Sequence, residues 1–144
     1  VHMTTPLFER ALVPLASADD AEATCRAIEP YLPEGCEFVA VHVIEKAGGA
    51  PDKASVEQRE EVAEEIFAVV DEQFPDRDVT TDVLYGTDVA DTILAHAGEV
   101  DASVVAFTPR EAGRLVRLLT GNTMTSMVTE TDRPVLVLPD PDDE

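Results

Sequence analysis

The chain has 144 residues, 44% of them apolar and 28% charged, which is the size and make-up of one globular domain around a single core. Thirty Asp and Glu against ten Lys and Arg give a net charge of -20, and such a surface repels phosphate backbones and anionic membranes, so neither nucleic acid nor a membrane is expected as a partner. No apolar run approaches the roughly 18 residues needed to span a bilayer.

Val1-His2-Met3 has neither the basic nor the apolar region of a secretory signal, and residues 1–3 read as a cloning remnant and start. Arg10-Ala-Leu-Val-Pro-Leu15 is a short apolar run, expected as a buried strand. Ser17-Ala-Asp-Asp20 starts a helix over 18–29 that turns Ala21, Cys25, Ala27 and Ile28 to one side. Pro30 and Pro33-Glu-Gly35 end it. Residues 36–44, rich in Val and Ile, form a second strand. Gly48-Gly49 and Pro51 mark a loop over 45–54. Ser55-Val-Glu-Gln58 reads as a capping box opening a long helix, with Val56, Val62, Ala63, Ile66, Val69 and Val70 inward. Residues 78–84 form a third strand, ending at Tyr85-Gly86. Thr87-Asp88 begins a helix with Val89, Ile93, Leu94 and Ala97 on one face, closed at Gly98. Residues 102–107 are a fourth strand, 108–122 a long connection, 123–131 a short helix, and Pro134-Val-Leu-Val-Leu138 a fifth strand.

This alternation predicts one α/β domain over residues 4–139, with a five-stranded parallel sheet and helices on both faces, followed by an acidic tail at 140–144. Continuously apolar strands fit a sheet covered on both sides. In such sheets ligands bind beyond the C-terminal strand ends, here the loops 16–19, 44–54 and 108–122.

Cys25 and Cys36 fit no metal or redox spacing; they read as buried reduced thiols and suit a cytoplasmic location. His2, His42 and His96 have no second ligand at metal spacing, so no metal site is expected. His42, in an apolar strand with no nucleophile nearby, reads as a hydrogen-bonded core residue rather than a catalytic one. No Ser-His-Asp order, carboxylate pair or nucleophile elbow is recognisable, so no enzymatic activity is expected. Eight Arg against two Lys amid so many acids is a composition similar to cytoplasmic proteins of salt-loving microbes; an acidic mesophile protein is the other reading.

Ala11-Leu-Val-Pro-Leu-Ala-Ser-Ala18, Val41-His-Val-Ile44, Tyr85-Gly86 with Ile93, Ala97 and Asp101-Ala-Ser-Val-Val105, and Arg133-Pro-Val-Leu-Val-Leu138 together resemble the universal stress protein family across residues 8–138, here in a haloarchaeal form. The resemblance implies a sheet of order 3-2-1-4-5, similar to adenine nucleotide alpha hydrolases. It also implies a homodimer pairing along the last strand, Val135, Leu136, Val137 and Leu138. Nucleotide-binding members of the family carry Gly-x-x-Gly, nine residues, then Gly-Ser or Gly-Thr. Aligned on Gly121, this chain reads Thr108-Pro-Arg-Glu111, nine residues, Gly121-Asn122, so two of the three glycines and the hydroxyl are missing. The family's ribose-side Asp corresponds to Ala16.

The resemblance therefore implies a degenerate nucleotide or anion site made of Pro14, Ala16, Val43, Thr108, Glu111, Gly121, Asn122 and Thr123. Glycines at such a loop let backbone approach phosphates at a helix start. Glu111 instead sets a carboxylate where the triphosphate would lie, at about 4 kcal/mol for like charges 4 Å apart before salt screening. Losing the ribose carboxylate adds roughly 1–2 kcal/mol. Arg110, Arg114 and Arg117, spaced to share one helical face, are either a small-anion site or solvated arginines paired with the acidic surface or a partner subunit. The expected function is a stress-response accessory protein, homodimeric, with an unknown protein partner and no cofactor. The alternative is an adenine-nucleotide switch that holds ATP with magnesium weakly, through backbone donors at 121–123.

Overall fold

A computed structural model describes residues 6–45, 53–108 and 126–139. Five strands, β1 (Arg10–Pro14), β2 (Glu37–Glu45), β3 (Val79–Gly86), β4 (Val104–Phe107) and β5 (Val135–Val137), make one sheet in the order β3-β2-β1-β4-β5. Every pairing is parallel, with Leu12 opposite Val39 on one side of β1 and opposite Val105 on the other. The expected α/β architecture and strand order are both present.

Helices α1 (Ala18–Ile28) and α2 (Lys53–Gln73) cover one face, and α3 (Val89–Glu99) the other. Side chains alternate across a strand. Thus Ala11, Val13 and Leu15 enter a core with Cys25, Ile28, Phe38, Ile66 and Val70, while Leu12 enters a second with Val41, Ile93, Phe107 and Met127. Each fully buried Leu, Ile or Phe contributes roughly 1.5–3 kcal/mol. No described helix is long and apolar enough to cross a membrane.

Several boundaries differ from the sequence reading. α2 begins at Lys53, so Ser55 lies inside the helix rather than capping it. Lys53 and Ala54 are strong helix formers and carry the helix past the cap signal. Val62 is 39% exposed, because the buried face is centred on Ala63, Ile66, Val70 and Phe74 and leaves Val62 on its flank. α3 does not close at Gly98 but runs to Glu99, and the left-handed residue after it is Asp101, φ 56°. A short polar side chain tolerates that conformation. β3 extends to Gly86, β4 starts at Val104 rather than at residue 102, and of the helix expected at 123–131, residues 126–129 are helical, 130–131 are not, and 123–125 lie outside the described residues.

Candidate functional site

The strand order reverses between β1 and β4, and their C-terminal ends meet the start of α1 there. Leu15 continues β1 by donating its N–H to Val41 O at 2.8 Å. Ser17 is the N-cap of α1 and accepts the Asp20 N–H at 3.0 Å. Asp20 answers in reverse: its Oδ2 accepts the Ala16 N–H at 3.0 Å and its Oδ1 accepts the Thr24 hydroxyl at 3.1 Å. The carboxylate is 0% exposed. This reciprocal pair satisfies two orphan donors of the helix entrance, and the negative charge sits at the positive end of the helix dipole.

His42 lies beside this turn, 9% exposed, and donates Nδ1–H to Leu15 O at 2.8 Å. Burial pushes its pKa down, only partly offset by that hydrogen bond, so the ring is held neutral. It is the hydrogen-bonded core histidine expected from the sequence. Thr108, at the end of β4, is 0% exposed, and its Oγ1 has no hydrogen-bond partner among the described residues. Pro14 ends β1 and is buried; Val43 is 5% exposed and packs in the second core, and Ala16 packs beside that core. Glu111, Gly121, Asn122 and Thr123, with Arg110, Arg114 and Arg117, lie outside the described residues.

At the far edge, β5 pairs only with β4 among the described strands. Val137 is 48% exposed, Val135 and Leu136 are half-buried, and Leu138 is 2% exposed with its N–H given inward to Phe107 O at 2.8 Å. Cys25 and Cys36 are free and buried. Burial, then the nearby Asp20, push the Cys25 thiol up to about 12, and burial also raises Cys36. Neither carries an activated thiolate. Among the described residues no three His, Cys, Asp or Glu side chains group to hold a metal.

Residues 7–139 match the Universal stress protein family. The chain belongs to the universal stress protein family. It is 32% identical over 90 residues to the stress response protein NhaX of Bacillus subtilis (strain 168), an alignment covering 62% of this chain and 52% of NhaX, so the chain spans about half the length of that relative. Its fold superposes on the protein MJ0577 with a TM-score of 0.72 at 17% identity, covering 96% of this chain and 100% of that one. It superposes on the universal stress protein from Archaeoglobus fulgidus in complex with dAMP at a TM-score of 0.65 and 19% identity, covering 92% and 99%.

Membership of the family was legible from the local sequences and their order along the chain; the role of Asp20 was not. Its signal was present as Ser17-x-x-Asp20, a capping pair with the shorter acid in place of Glu.

Proposed function

We propose that this chain is a stress-response accessory protein of its family that works as a cytoplasmic homodimer through protein contacts, without enzymatic chemistry and without tight ATP binding. The observation that carries the reading is the turn at Ala16. Where the family's ribose carboxylate would stand there is a methyl group, and the adjacent N–H is already taken by Asp20. Asp20 cannot substitute for the missing acid, since it is fully buried and spends both oxygens on Ala16 and Thr24. The sequence adds Glu111 to the phosphate side. The described half of the site therefore does not fit a nucleotide's ribose.

Titration calorimetry with ATP, ADP and AMP in molar KCl tests this. We expect no binding in the low-micromolar range, and a low-micromolar dissociation constant overturns the reading. Restoring Ala16→Asp, Thr108→Gly, Glu111→Gly and Asn122→Ser together should raise ATP affinity about tenfold or more, each 1.4 kcal/mol being a factor of ten.

One observation favours the second reading, a nucleotide switch with a modified loop. The buried Thr108 hydroxyl is a polar atom left over at the strand end where ligands of this fold class sit. Native mass spectrometry of the purified chain separates the two, because co-purified adenine nucleotide supports the switch. The dimer is proposed along β5, whose outer edge has no partner strand among the described residues and would pair with its own copy across a two-fold axis. Val137→Lys should weaken it in sedimentation runs. A halophilic origin is proposed from the charge of -20 with two Lys. Unfolding midpoints should climb from low to molar KCl as screening removes self-repulsion.

A further inference from the structure

The opposite edge of the sheet carries a second, unassigned surface. β3 pairs with β2 over eight residues, from Phe38–Val79 to Glu45–Gly86, and among the described residues no strand lies beyond it. Every second residue of such an edge turns its N–H and C=O outward, and edges are normally blunted with Lys, Pro or bulges. The sequence of β3, VTTDVLYG, has neither Lys nor Pro, and its one charged residue is the acid Asp82. Beside it runs a groove of about 490 Å³ between β3 and α3. Leu84 and Ala95 contribute apolar lining, with Asp91, His96 and Glu99 alongside. Asp82 of β3 stands next to the groove, its Oδ2 3.2 Å from His96 Nε2, and Glu99 Oε2 lies 3.5 Å from His96 Nδ1. Among the described residues no Lys or Arg lines this groove. Tyr85 also borders the groove, and its hydroxyl donates to Glu60 of α2, on the other side of the strand, at 2.7 Å.

We propose that the β3 edge docks an extended basic segment of a partner protein as a sixth strand. Main-chain bonds to β3 supply the register, and alternate side chains meet alternate surfaces. Lys or Arg at every second position would lay its methylene stem over Leu84 and Ala95 and bring its cation to Asp82, Asp91 and Glu99. The intervening residues, best β-branched, would face the α2 side. Charge complementarity selects this occupant over a second copy of the chain, which would set Asp82, Asp91 and Glu99 against their own equivalents. The surface lies at the other end of the sheet from β5, so it depends neither on the proposed dimer nor on the nucleotide reading.

The test uses the full chain at the lowest KCl that keeps it folded, with a capped eight-residue peptide of alternating Arg and Val as probe. The peptide should bind, and amide exchange should slow in β3. Two analogues, N-methylated on odd or on even amides, keep the charge and remove one row of donors each. One of them should lose about tenfold or more in affinity. Asp91→Asn with Glu99→Gln should weaken the parent peptide by about threefold, whereas Glu22→Gln with Glu72→Gln, on other helices, should not. Equal binding of both methylated analogues would mean bulk charge attraction and overturn the proposal. So would protection that appears at β5 instead of β3, or sedimentation and exchange data that bury β3 between two copies.

Discussion

The two ends of the sheet are finished in different ways. At the N-terminal strand ends, arginines donate to loop and helix-end carbonyls, two of which, Pro33 O and Ala97 O, also accept a backbone N–H. Arg10 donates to Val100 O at 2.6 Å, Arg77 to Pro33 O at 3.1 Å and Cys36 O at 2.8 Å, and Arg133 to Ala97 O at 3.1 Å and Ala102 O at 2.9 Å. Ser103 adds a hub, taking N–H groups of Glu9 and Arg10 and donating to Leu7 O. The C-terminal ends have no such clasp among the described residues. They hold a buried carboxylate, a neutral imidazole and a hydroxyl with no partner. A protein with only ten basic residues places three of them at the N-terminal strand ends, opposite the end where ligands of doubly wound sheets bind. The difference teaches where stability was put and where it was withheld.

The sharpest way to break that comparison is at Arg133. Removing its guanidinium in Arg133→Ala takes the arginine donor from the Ala102 carbonyl and from the Ala97 carbonyl, which keeps the Ala102 N–H at 2.9 Å, and urea unfolding in molar KCl should show a loss of about 2 kcal/mol, the scale for a hydrogen bond from a charged group. A loss below the scatter of the measurement would mean that water replaces the clasp. Gly86 gives the next effect, at the other end. A Cβ there would lie 2.0 Å from Thr92 Oγ1, in the first turn of α3. Gly86→Ala should cost about 2 kcal/mol by overpacking, and Thr92→Ala should recover part of it. No recovery would place the strain elsewhere.

Thr108→Val separates a storage site of strain from a working one. If the hydroxyl is only an orphan, the isosteric change removes a desolvated polar atom and should stabilise by about 1 kcal/mol. A destabilised variant would show that the hydroxyl is engaged. The smallest effect is His42. Burial lowers its pKa in the folded chain, so the unfolded chain takes up the proton first. Stability should be flat above the ordinary imidazole value of 6.5 and decline as pH falls below it toward the folded value. His42→Gln should flatten that decline above the carboxylate range; an unchanged slope would assign it to other groups.

The fold was legible because its signals are local and repeated. Apolar runs flanked by Gly and Pro gave each strand within one or two residues, and the family resemblance supplied the order. What misled was the treatment of single residues as punctuation. Ser55 looked like a cap and Gly98 like a terminator, yet both sit inside helices, because packing of α2 and α3 on the sheet outweighs a cap signal worth about 1 kcal/mol. The site was less legible. Ala16 marks a missing carboxylate in the sequence, but that its N–H is taken depends on Asp20 folding back four residues, a matter of geometry. The β3 groove was invisible for a related reason: Asp82, Asp91, His96 and Glu99 come from two elements and have no spacing motif.

β1 has one more consequence, for how the chain is made. It lies at the middle of the sheet, yet its second neighbour, β4, begins 94 positions after Arg10, as the Ala11–Val104 register requires. Loop closure of that length is slow relative to local contacts. During synthesis β1 and β2 can pair as soon as residue 45 is clear of the ribosome, with the other edge of β1 open until residues 104–107 follow. That edge, Ala11-Leu-Val-Pro14, is entirely apolar. In the meantime the acid-rich surfaces of α1 and α2 give the half-made sheet a negative coat, so that neighbouring nascent chains repel one another while the central strand waits for its partner.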